Sequence, residues 1–367
     1  MFVHMRFQNR LAPERYDQFL AAGWFRGASM LYRMDVMCID GAVNSVVNVR
    51  LPLADFAPSK RQRKLISRVE RRFRVEVRPA PAVPDAARET LYTAHRGRFR
   101  GHVHATLNDF FTAGQEEVAF ETWEVGVYDG ETLVGMSYFD AGGVALASLL
   151  AAFHPDCSAY SLGTYTMLRE IAHAQTTGRT FYYPGYILDR TSLFDYKLRL
   201  GAMEYLGRDR AWHPYAHFEP WGTAGAAIER ATAALESALC AAGIGFRRWL
   251  YPGFALGHLA RWEGRFVRLP VFIELGADGC GTACIGYLPE PGTFECLRMA
   301  PSPESAHWVN YELAEEFRNP HVYWPHLMEV VLLDAEAADL GSAVEWARSW
   351  CTGVDALPLP PSSLPCD

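Results

Sequence analysis

The chain has 367 residues, 50% of them hydrophobic and 21% charged, with a formal net charge of −7. That length makes two domains the default and supplies ample core, and the composition excludes a disordered or fibrous chain. The longest apolar run, Val144 to Phe153, is too short to span a bilayer, and the opening MFVHMRFQNR lacks the apolar segment of a signal peptide; a soluble, cytoplasmic protein without a membrane partner is expected.

Eight cysteines are scattered and no CxxC occurs. The closest pair, Cys280 and Cys284, has no neighbouring His or second pair. Free thiols in a reducing compartment, with no metal, are the expectation. The charge is uneven. From Lys60 to Arg78 there are nine Lys or Arg and two Glu, a surplus of seven positive charges, which leaves a surplus of fourteen negative ones elsewhere. A basic island in an acidic chain points to a polyanionic partner.

In chain order, Leu11 to Ala22 reads as a helix ending at Gly23, and Trp24 to Arg33 as a strand entering a loop. Arg50 to Ser59 is extended. Ser59 then caps a helix predicted over Lys60 to Arg74, with Leu65, Ile66, Val69 and Phe73 on one side and Arg61, Lys64, Arg68, Arg71 and Arg72 on the other. The basic side is either a solvated face or a phosphate-binding one, and Lys60, Arg61, Arg63, Lys64, Arg68 and Arg71 are its candidate RNA contacts. Pro79 to Pro84 reads as a stiff linker. Arg88 to Phe111 is helical, with His95, Arg96, Arg98, Arg100, His102 and His104 at its centre; the His-x-His pair is expected to be surface or cleft, not a metal site. Val118 to Val127, Thr132 to Asp140 and Val144 to Phe153 form an antiparallel meander with turns at Asp129-Gly130 and Gly142-Gly143.

Ser161 caps the next helix, whose stripe is Leu168, Ile171, Ala172 and Ala174, and Gly178 stops it. Thr180 to Tyr183 is a short strand that Pro184-Gly185 ends. A loop over Tyr186 to Leu193 returns at Asp195-Tyr196-Lys197. A helix start beside a strand end leaves backbone N–H groups facing a cleft, suited to a phosphate or a polarised carbonyl. Further on, Thr223 to Ala242 is an Ala-rich helix, Phe266 to Leu275 and Ala283 to Leu288 are strands, Ala306 to Phe317 is a helix, and the tail from Leu357 is Pro-rich.

Ser161-Leu-Gly-Thr-Tyr165, Leu168-Arg-Glu-Ile171, Ala174, Gly185-Tyr186, Tyr196-Lys197 and Glu204 follow one another as in the C-terminal half of the aminoacyl-tRNA–protein transferases, the arginyltransferases and bacterial leucyltransferases. Upstream, Gly23-Trp24, Tyr32, Arg50-Leu-Pro-Leu with Phe56, and Pro58-Ser-Lys-Arg-Gln-Arg63 also resemble that family. The resemblance implies an α+β, acetyltransferase-like (GNAT) fold, an antiparallel-rich mixed sheet flanked by helices, with N-terminal and C-terminal additions. The domains expected are 1–80 with the basic helix, 81–215 as the catalytic domain, and 216–367 as an extension of unknown role. The sequence departs from the family in keeping only Cys38 of its paired cysteines, so no iron–sulfur or haem group is expected, and no cofactor. It departs again at His154-Pro155-Asp156, Leu193-Phe194 and Leu200-Gly201-Ala202.

The reaction implied is attack of an amine on the ester of an aminoacyl-tRNA, the donor amino acid being arginine or leucine by resemblance. Positioning and oriented dipoles supply most of the rate in such a step. The backbone of Ser161, Gly163, Thr164 and Tyr165 is the candidate holder of the tRNA 3′ end or the ester oxygen, unless these residues only cap and pack. Tyr186 and Tyr196 are candidates to stack on the terminal adenosine or to donate, with buried packing as the alternative. Gly185 and Glu204 are substrate-side candidates by resemblance. Lys197 is a candidate for phosphate or an acidic acceptor, and Glu124 and Asp140 are candidates to take the amine proton. The departures fall on the acceptor side, which suggests a small amine or a peptide as acceptor. Two rival readings are an acyl-CoA N-acyltransferase on the same fold and a non-catalytic tRNA-binding relative.

Overall fold

The computed structural model describes residues 2–7, 11–98, 104–112, 120–258, 264–303, 319–352 and 357–358. The chain divides into two units. Residues 5–33 and 47–218 form one; residues 1–4, 34–46 and 219–367 form the other.

In chain order the elements of the first half are β1 (Val3–Phe7), α1 (Pro13–Ala21), β2 (Phe25–Gly27), β3 (Met30–Met34), β4 (Val36–Ile39), β5 (Ala42–Pro52), α2 (Lys60–Glu70), β6 (Arg74–Pro79), α3 (Ala86–Arg96) and α4 (Leu107–Thr112). They are followed by β7 (Thr122–Asp129), β8 (Thr132–Ala141), β9 (Ala145–Phe153), α5 (Leu162–Thr176), β10 (Phe181–Leu188), β11 (Glu204–Leu206) and β12 (Trp212–Pro214). The sheet of the 5–33/47–218 unit runs in the order β12-β11-β5-β10-β9-β8-β7-β6. Its β6–β9 ladders are antiparallel, while β9 and β10 pair in parallel. The fold is therefore α+β around an antiparallel-rich mixed sheet.

Alternation along each strand gives the sheet two buried faces. On one, Val49, Leu51, Val125, Phe139, Leu146 and Tyr182 meet Met167, Leu168, Ile171 and Ala174 of α5, with Leu65 and Ile66 of α2 at the side. On the other, Met136, Tyr138 and Ala152 meet Leu91 and Tyr92 of α3 and Leu107 and Phe111 of α4. The same face continues at Ala145, Ala147 and Tyr183 against Tyr16, Phe19 and Leu20 of α1. Gly142 turns β8 into β9 where Asp17 of α1 crosses: a Cβ there would lie 2.0 Å from Asp17 Oδ1, and the Val144 amide donates to Asp17 Oδ2 at 2.9 Å.

The second unit has β4 paired with the first half of β5, Val36 opposite Ser45. It continues with α6 (Ala224–Ala241), β13 (Arg247–Leu250), β14 (Val271–Asp278), β15 (Gly281–Leu288), β16 (Thr293–Pro301), β17 (Met328–Ala337) and α7 (Leu340–Cys351). The five strands β13–β17 are sequential and antiparallel. Leu235 and Leu239 of α6 and Ala343 and Ala347 of α7 cover Ile273, Leu275, Ile285 and Cys296.

Several expectations shift. The basic helix ends at Glu70 and not Arg74, because Phe73 turns into the core and Arg74 enters the β6–β7 ladder. That ladder lies inside one unit, whose last segment runs from Val47 to Phe218, so residue 80 is not a boundary between units. The stretch from Arg88 to Phe111 holds two helices, α3 and α4. Pro184-Gly185 does not end its strand, since β10 continues to Leu188. The strand expected from Phe266 begins at Val271, Phe266 making a single bridge to Glu329. The helix expected over Ala306 to Phe317 lies outside the described residues, as does nearly all of the tail.

Arg26 and Asp140 form a buried ion pair of 2.8 Å, their side chains 3% and 0% exposed. Replacing Arg26 by Met strands the Asp140 charge in the core and is expected to lower unfolding stability by about 3–5 kcal/mol. The double variant Arg26→Met, Asp140→Asn recovers part of that loss. Urea denaturation of the three proteins measures it.

Candidate active site

The site is built where β10 leaves β9. Phe181, Tyr182 and Tyr183 pair with Ala145, Leu146 and Ala147, and pairing stops there although both strands go on. Pro184 has no N–H to continue the ladder. Gly185 follows at φ +98°, and the Lys197 ammonium nitrogen lies 3.3 Å from where a Cβ would be. Only glycine meets both demands.

The turn beyond it brings back Leu193–Arg199 as a 3-10 segment, begun by a Ser192–Asp195 capping box. Lys197 is 8% exposed and its amine donates to the Tyr186 carbonyl at 2.7 Å. Burial holds its pKa down to about 7. Its nitrogen also sits 5.1 Å from the Tyr186 ring centre and 5.0 Å from that of Phe194. Tyr186 touches Phe25 of β2 and Phe194, at 5.5 and 5.3 Å between ring centres, and Phe25 touches Tyr32. The Tyr186 hydroxyl is pushed up to about 12, chiefly by burial and then by Tyr196. Tyr196 is 40% exposed, and its pKa is raised first by burial and then by the charge of Glu170; its phenol end is the covered one.

Glu170 itself is 0% exposed. It projects from the middle of α5 onto the sheet, where Ser137 of β8 donates to Oε1 at 2.5 Å and the Tyr182 hydroxyl to Oε2 at 2.6 Å. Burial raises its pKa to about 7, held back by the hydroxyls of Ser137, Tyr182 and Ser148. The sequence reading gave Glu170 no role. A signal was there: it falls among Met167, Ile171 and Ala174, on the stripe that the helix buries.

The other predicted residues are placed differently. Glu124 is held by Arg88 and Arg78 and by the Tyr138 hydroxyl. Asp140 is held by Arg26 and Thr122. Both lie on the face opposite α5, and each is tied up in charge-assisted hydrogen bonds. Glu204 is bound to Arg50 at 2.7 Å, whose guanidinium is sandwiched between Phe181 and Trp212 at 4.0 and 4.4 Å; it braces the sheet.

At the start of α5, Ser161 is left-handed (φ 53°) and its side chain makes no cap bond, contrary to the expected cap. The Tyr165 amide bonds back to the Ser161 carbonyl. Gly163 and Thr164 are half-buried, with the Phe153 ring 3.7 Å from a Cβ at Gly163. Tyr165 is buried, and its hydroxyl donates to Glu70 of α2 at 3.3 Å, as does Arg169 at 3.1 Å.

The Ser59 cap of α2 does form, as a capping box with Gln62. Gln62 then donates to the carbonyls of Arg199 at 3.1 Å and Leu200 at 2.8 Å. The basic helix is thus bonded to both α5 and the segment carrying Tyr196 and Lys197. Lys60, Arg61, Arg63, Lys64, Arg68 and Arg71 are exposed. Arg63 donates to the Pro58 carbonyl, Arg71 to that of Ser67, and Arg68 stands over the Tyr160 ring at 5.8 Å. Arg72 is tied to Asp129.

Among the described residues no group of three or more His, Cys, Asp or Glu could hold a metal. His102 of the His-x-His pair lies outside them. Cys284 faces Met299, and Cys38 is buried with its thiol pushed up to about 12 by burial. No described helix is long and apolar enough to cross a membrane.

Residues 87–207 match the family model described as arginine-tRNA-protein transferase, C terminus. That match and the relatives below make the chain similar to the aminoacyl-tRNA–protein transferases over about half its length. It is 27% identical over 205 residues to the aspartate/glutamate leucyltransferase of Vibrio cholerae serotype O1 (strain M66-2), covering 54% of this chain and 82% of the relative. It is 29% identical over 213 residues to that of Stenotrophomonas maltophilia (strain R551-3), covering 54% and 80%. The family region spans α3 to β11, the elements that carry Glu170, Gly185, Tyr186, Tyr196 and Lys197. Among solved structures, "The structure of L-PGS from Bacillus licheniformis" is similar at a TM-score of 0.31 and 12% identity, over 39% of this chain and 45% of that one. "Crystal structure of FemX" gives 0.30 and 8%, over 49% and 61%.

Because its folded pKa lies above the unfolded value, Glu170 favours the fold below about pH 4.5, and that contribution is lost as pH rises to about 7. The Glu170→Gln variant is expected to lack this decline, which amounts to at most about 3 kcal/mol. Melting temperatures of both proteins between pH 4.5 and 8 measure it; parallel curves would contradict the assignment.

Proposed function

We propose that the protein is an aminoacyl-tRNA-dependent aminoacyltransferase that moves an amino acid from its tRNA ester to an amine, with amide bond formation. The observation that carries this is the family match over residues 87–207, which contains the whole cluster from Glu170 to Lys197. The relatives matched are named as transferases of leucine with aspartate or glutamate in their names, and leucine or arginine is the donor proposed here. The fold proposed for this region is the GNAT fold. In support, a β-meander leads through α5 to a strand that pairs in parallel and then parts, leaving a crevice at strand ends where ligands enter α/β sheets.

In this reading the open ends of β9 and β10 admit the esterified 3′ end. The ring of Tyr186 and the half-exposed ring of Tyr196 are the surfaces on which a terminal adenosine stacks, with Gly185 giving close approach. The backbone around Ser161, Gly163, Thr164 and Tyr165 faces the ester end. The α2 face of Lys60, Arg61, Arg63, Lys64, Arg68 and Arg71 takes the phosphate backbone, sequence-independently and in a salt-dependent way. The acceptor is a peptide, a protein N-terminus or a small amine. Lys197 is buried on the Tyr186 carbonyl and is not available as a counter-charge, so an acceptor with an uncharged first residue fits better than an acidic one.

Transfer of labelled amino acid from a mixed aminoacyl-tRNA pool to amine acceptors, with ribonuclease as control, tests the function. Ribonuclease-sensitive product is expected, and absence of both tRNA binding and product would refute it. Separately, reversing Arg61, Lys64 and Arg68 to Glu is expected to weaken tRNA binding at least about 10-fold. It should also lower the salt slope of log K by roughly 2 to 3, with the melting temperature unchanged. Unaltered affinity would remove α2 from the interface.

A further inference from the structure

The 3-10 segment Leu193–Arg199 turns one side inward and the other outward. In such a helix, side chains three residues apart lie one above the other, about 6 Å apart along the axis. The inward row is Phe194 and Lys197, continued by Leu200. Phe194 meets the Tyr186 ring at 5.3 Å, Lys197 is bonded to the Tyr186 carbonyl, and Leu200 is 2% exposed. The outward row is Leu193, Tyr196 and Arg199; the first two are 68% and 40% exposed, and Arg199 is exposed as well. The one acid of the segment, Asp195, is turned back into the capping box with Ser192. Among the described residues the Arg199 guanidinium has no hydrogen-bond or ion-pair partner. Its carbonyl, by contrast, is fixed: Gln62 donates to it at 3.1 Å from the first turn of α2, where Gln62 stands between Arg61 and Arg63. The row therefore runs from the basic helix to the ring of Tyr196, inside a single unit.

We propose that the outward row Leu193–Tyr196–Arg199 seats the unpaired 3′ end of the tRNA, with Arg199 holding a backbone phosphate beside the base stacked on Tyr196. This rests on the transferase reading above and adds to it the residue that joins the basic helix to the cleft. An exposed guanidinium one turn from an exposed aromatic ring is the pairing that single-stranded nucleic acid uses: the cation takes the phosphate, and the ring takes the face of any base. Leu193, one turn beyond, bounds the far edge of that base. Charge favours RNA over an acceptor peptide as the occupant. The row carries a cation and no acid, and it adjoins a stretch, Lys60 to Arg78, with nine Lys or Arg against two Glu. A peptide amine is largely protonated at neutral pH and gains nothing from a guanidinium. The two surfaces then divide the tRNA between them. The cations of α2 meet the paired stem, and Arg199 meets the strand that leaves it.

Fluorescence anisotropy on the full chain, comparing an intact deacylated tRNA with the same tRNA stripped of its unpaired 3′ nucleotides, tests this. Arg199→Gln is expected to weaken binding of the intact tRNA about 5- to 10-fold and to lower its salt slope of log K by about 0.7, the value for one phosphate on a single strand. Binding of the stripped tRNA is expected to stay as in wild type. Arg199→Lys keeps the charge and is expected to restore the slope, which lost packing alone would not allow. Tyr196→Leu is expected to weaken the intact tRNA at least about 5-fold with the slope unchanged. Unaltered affinity of Arg199→Gln for the intact tRNA overturns the proposal, and so does an equal loss for both RNAs, which would put Arg199 on the stem. A raised KM for the acceptor peptide with tRNA binding unaltered would give the row to the acceptor and overturns it too. If wild type binds neither RNA, it is the transferase reading that fails, a result distinct from failure at Arg199 alone.

Discussion

The parting of β10 from β9 is the constraint on which the site depends. Three residue pairs hold the strands together, and Pro184 then withholds the donor that a fourth would need. Had the ladder continued, β9 and β10 would close over the middle of the sheet. Instead β10 bends at Gly185, whose positive φ turns Tyr186 toward Phe25 and Phe194. The same bend presents the Tyr186 carbonyl to Lys197. Carbonyl and amine satisfy each other in the interior, where an unpaired polar group costs about 1–3 kcal/mol. One proline and one glycine thus open the sheet, and one lysine fixes how it stays open.

The two faces of that sheet treat charge differently. On the α1 and α3 side, Arg26 and Arg88 pair with Asp140 and Glu124, so β2 and α3 are held by charge-assisted bonds to strands distant in sequence. Such pairs make a rigid wall. On the α5 side Glu170 is fully buried, and the hydroxyls of Ser137, Tyr182 and Ser148 accompany it. A carboxylate so placed is poised between its two protonation states near neutrality. The first face is suited to holding geometry, the second to changing protonation.

What the sequence made legible is what is local. The capping box of Ser59 and Gln62, the stop at Gly178 (φ +73°), the β7–β9 meander and the stripe of α5 all follow from residues within one or two turns of each other. The losses come from contacts at long range. The pairing of Glu124 and Asp140, candidates to take the amine proton, was not legible because Arg88 and Arg26 lie 36 and 114 residues away. The bond from Arg50 to Glu204, a substrate-side candidate by resemblance, was hidden because the two lie 154 residues apart. Pro184-Gly185 read as a strand end because its local propensities are those of a turn, and neighbouring strand context overrode them. Ser161 read as a cap, yet its left-handed backbone leaves the hydroxyl without a cap bond. Glu170 was missed for the opposite reason: a charged residue on an apolar stripe was discounted, when a buried ionisable group is the more informative observation.

The docking of α2 links the basic face to the cluster without sharing residues with it. Gln62, Leu65, Ile66, Val69 and Glu70 face inward to the 3-10 segment and to α5. The exposed cations project the other way and contribute little to that docking. Two consequences follow from this separation. Changing the cations leaves the position of the helix intact, since none of the inward bonds involves them. Changing Gln62 would instead release the Arg199 and Leu200 carbonyls and, with them, the segment that carries Tyr196 and Lys197. The basic helix and the segment carrying Tyr196 are therefore joined through two backbone carbonyls. The spacing between the basic face and Tyr196 is kept fixed by hydrogen bonds inside a single unit.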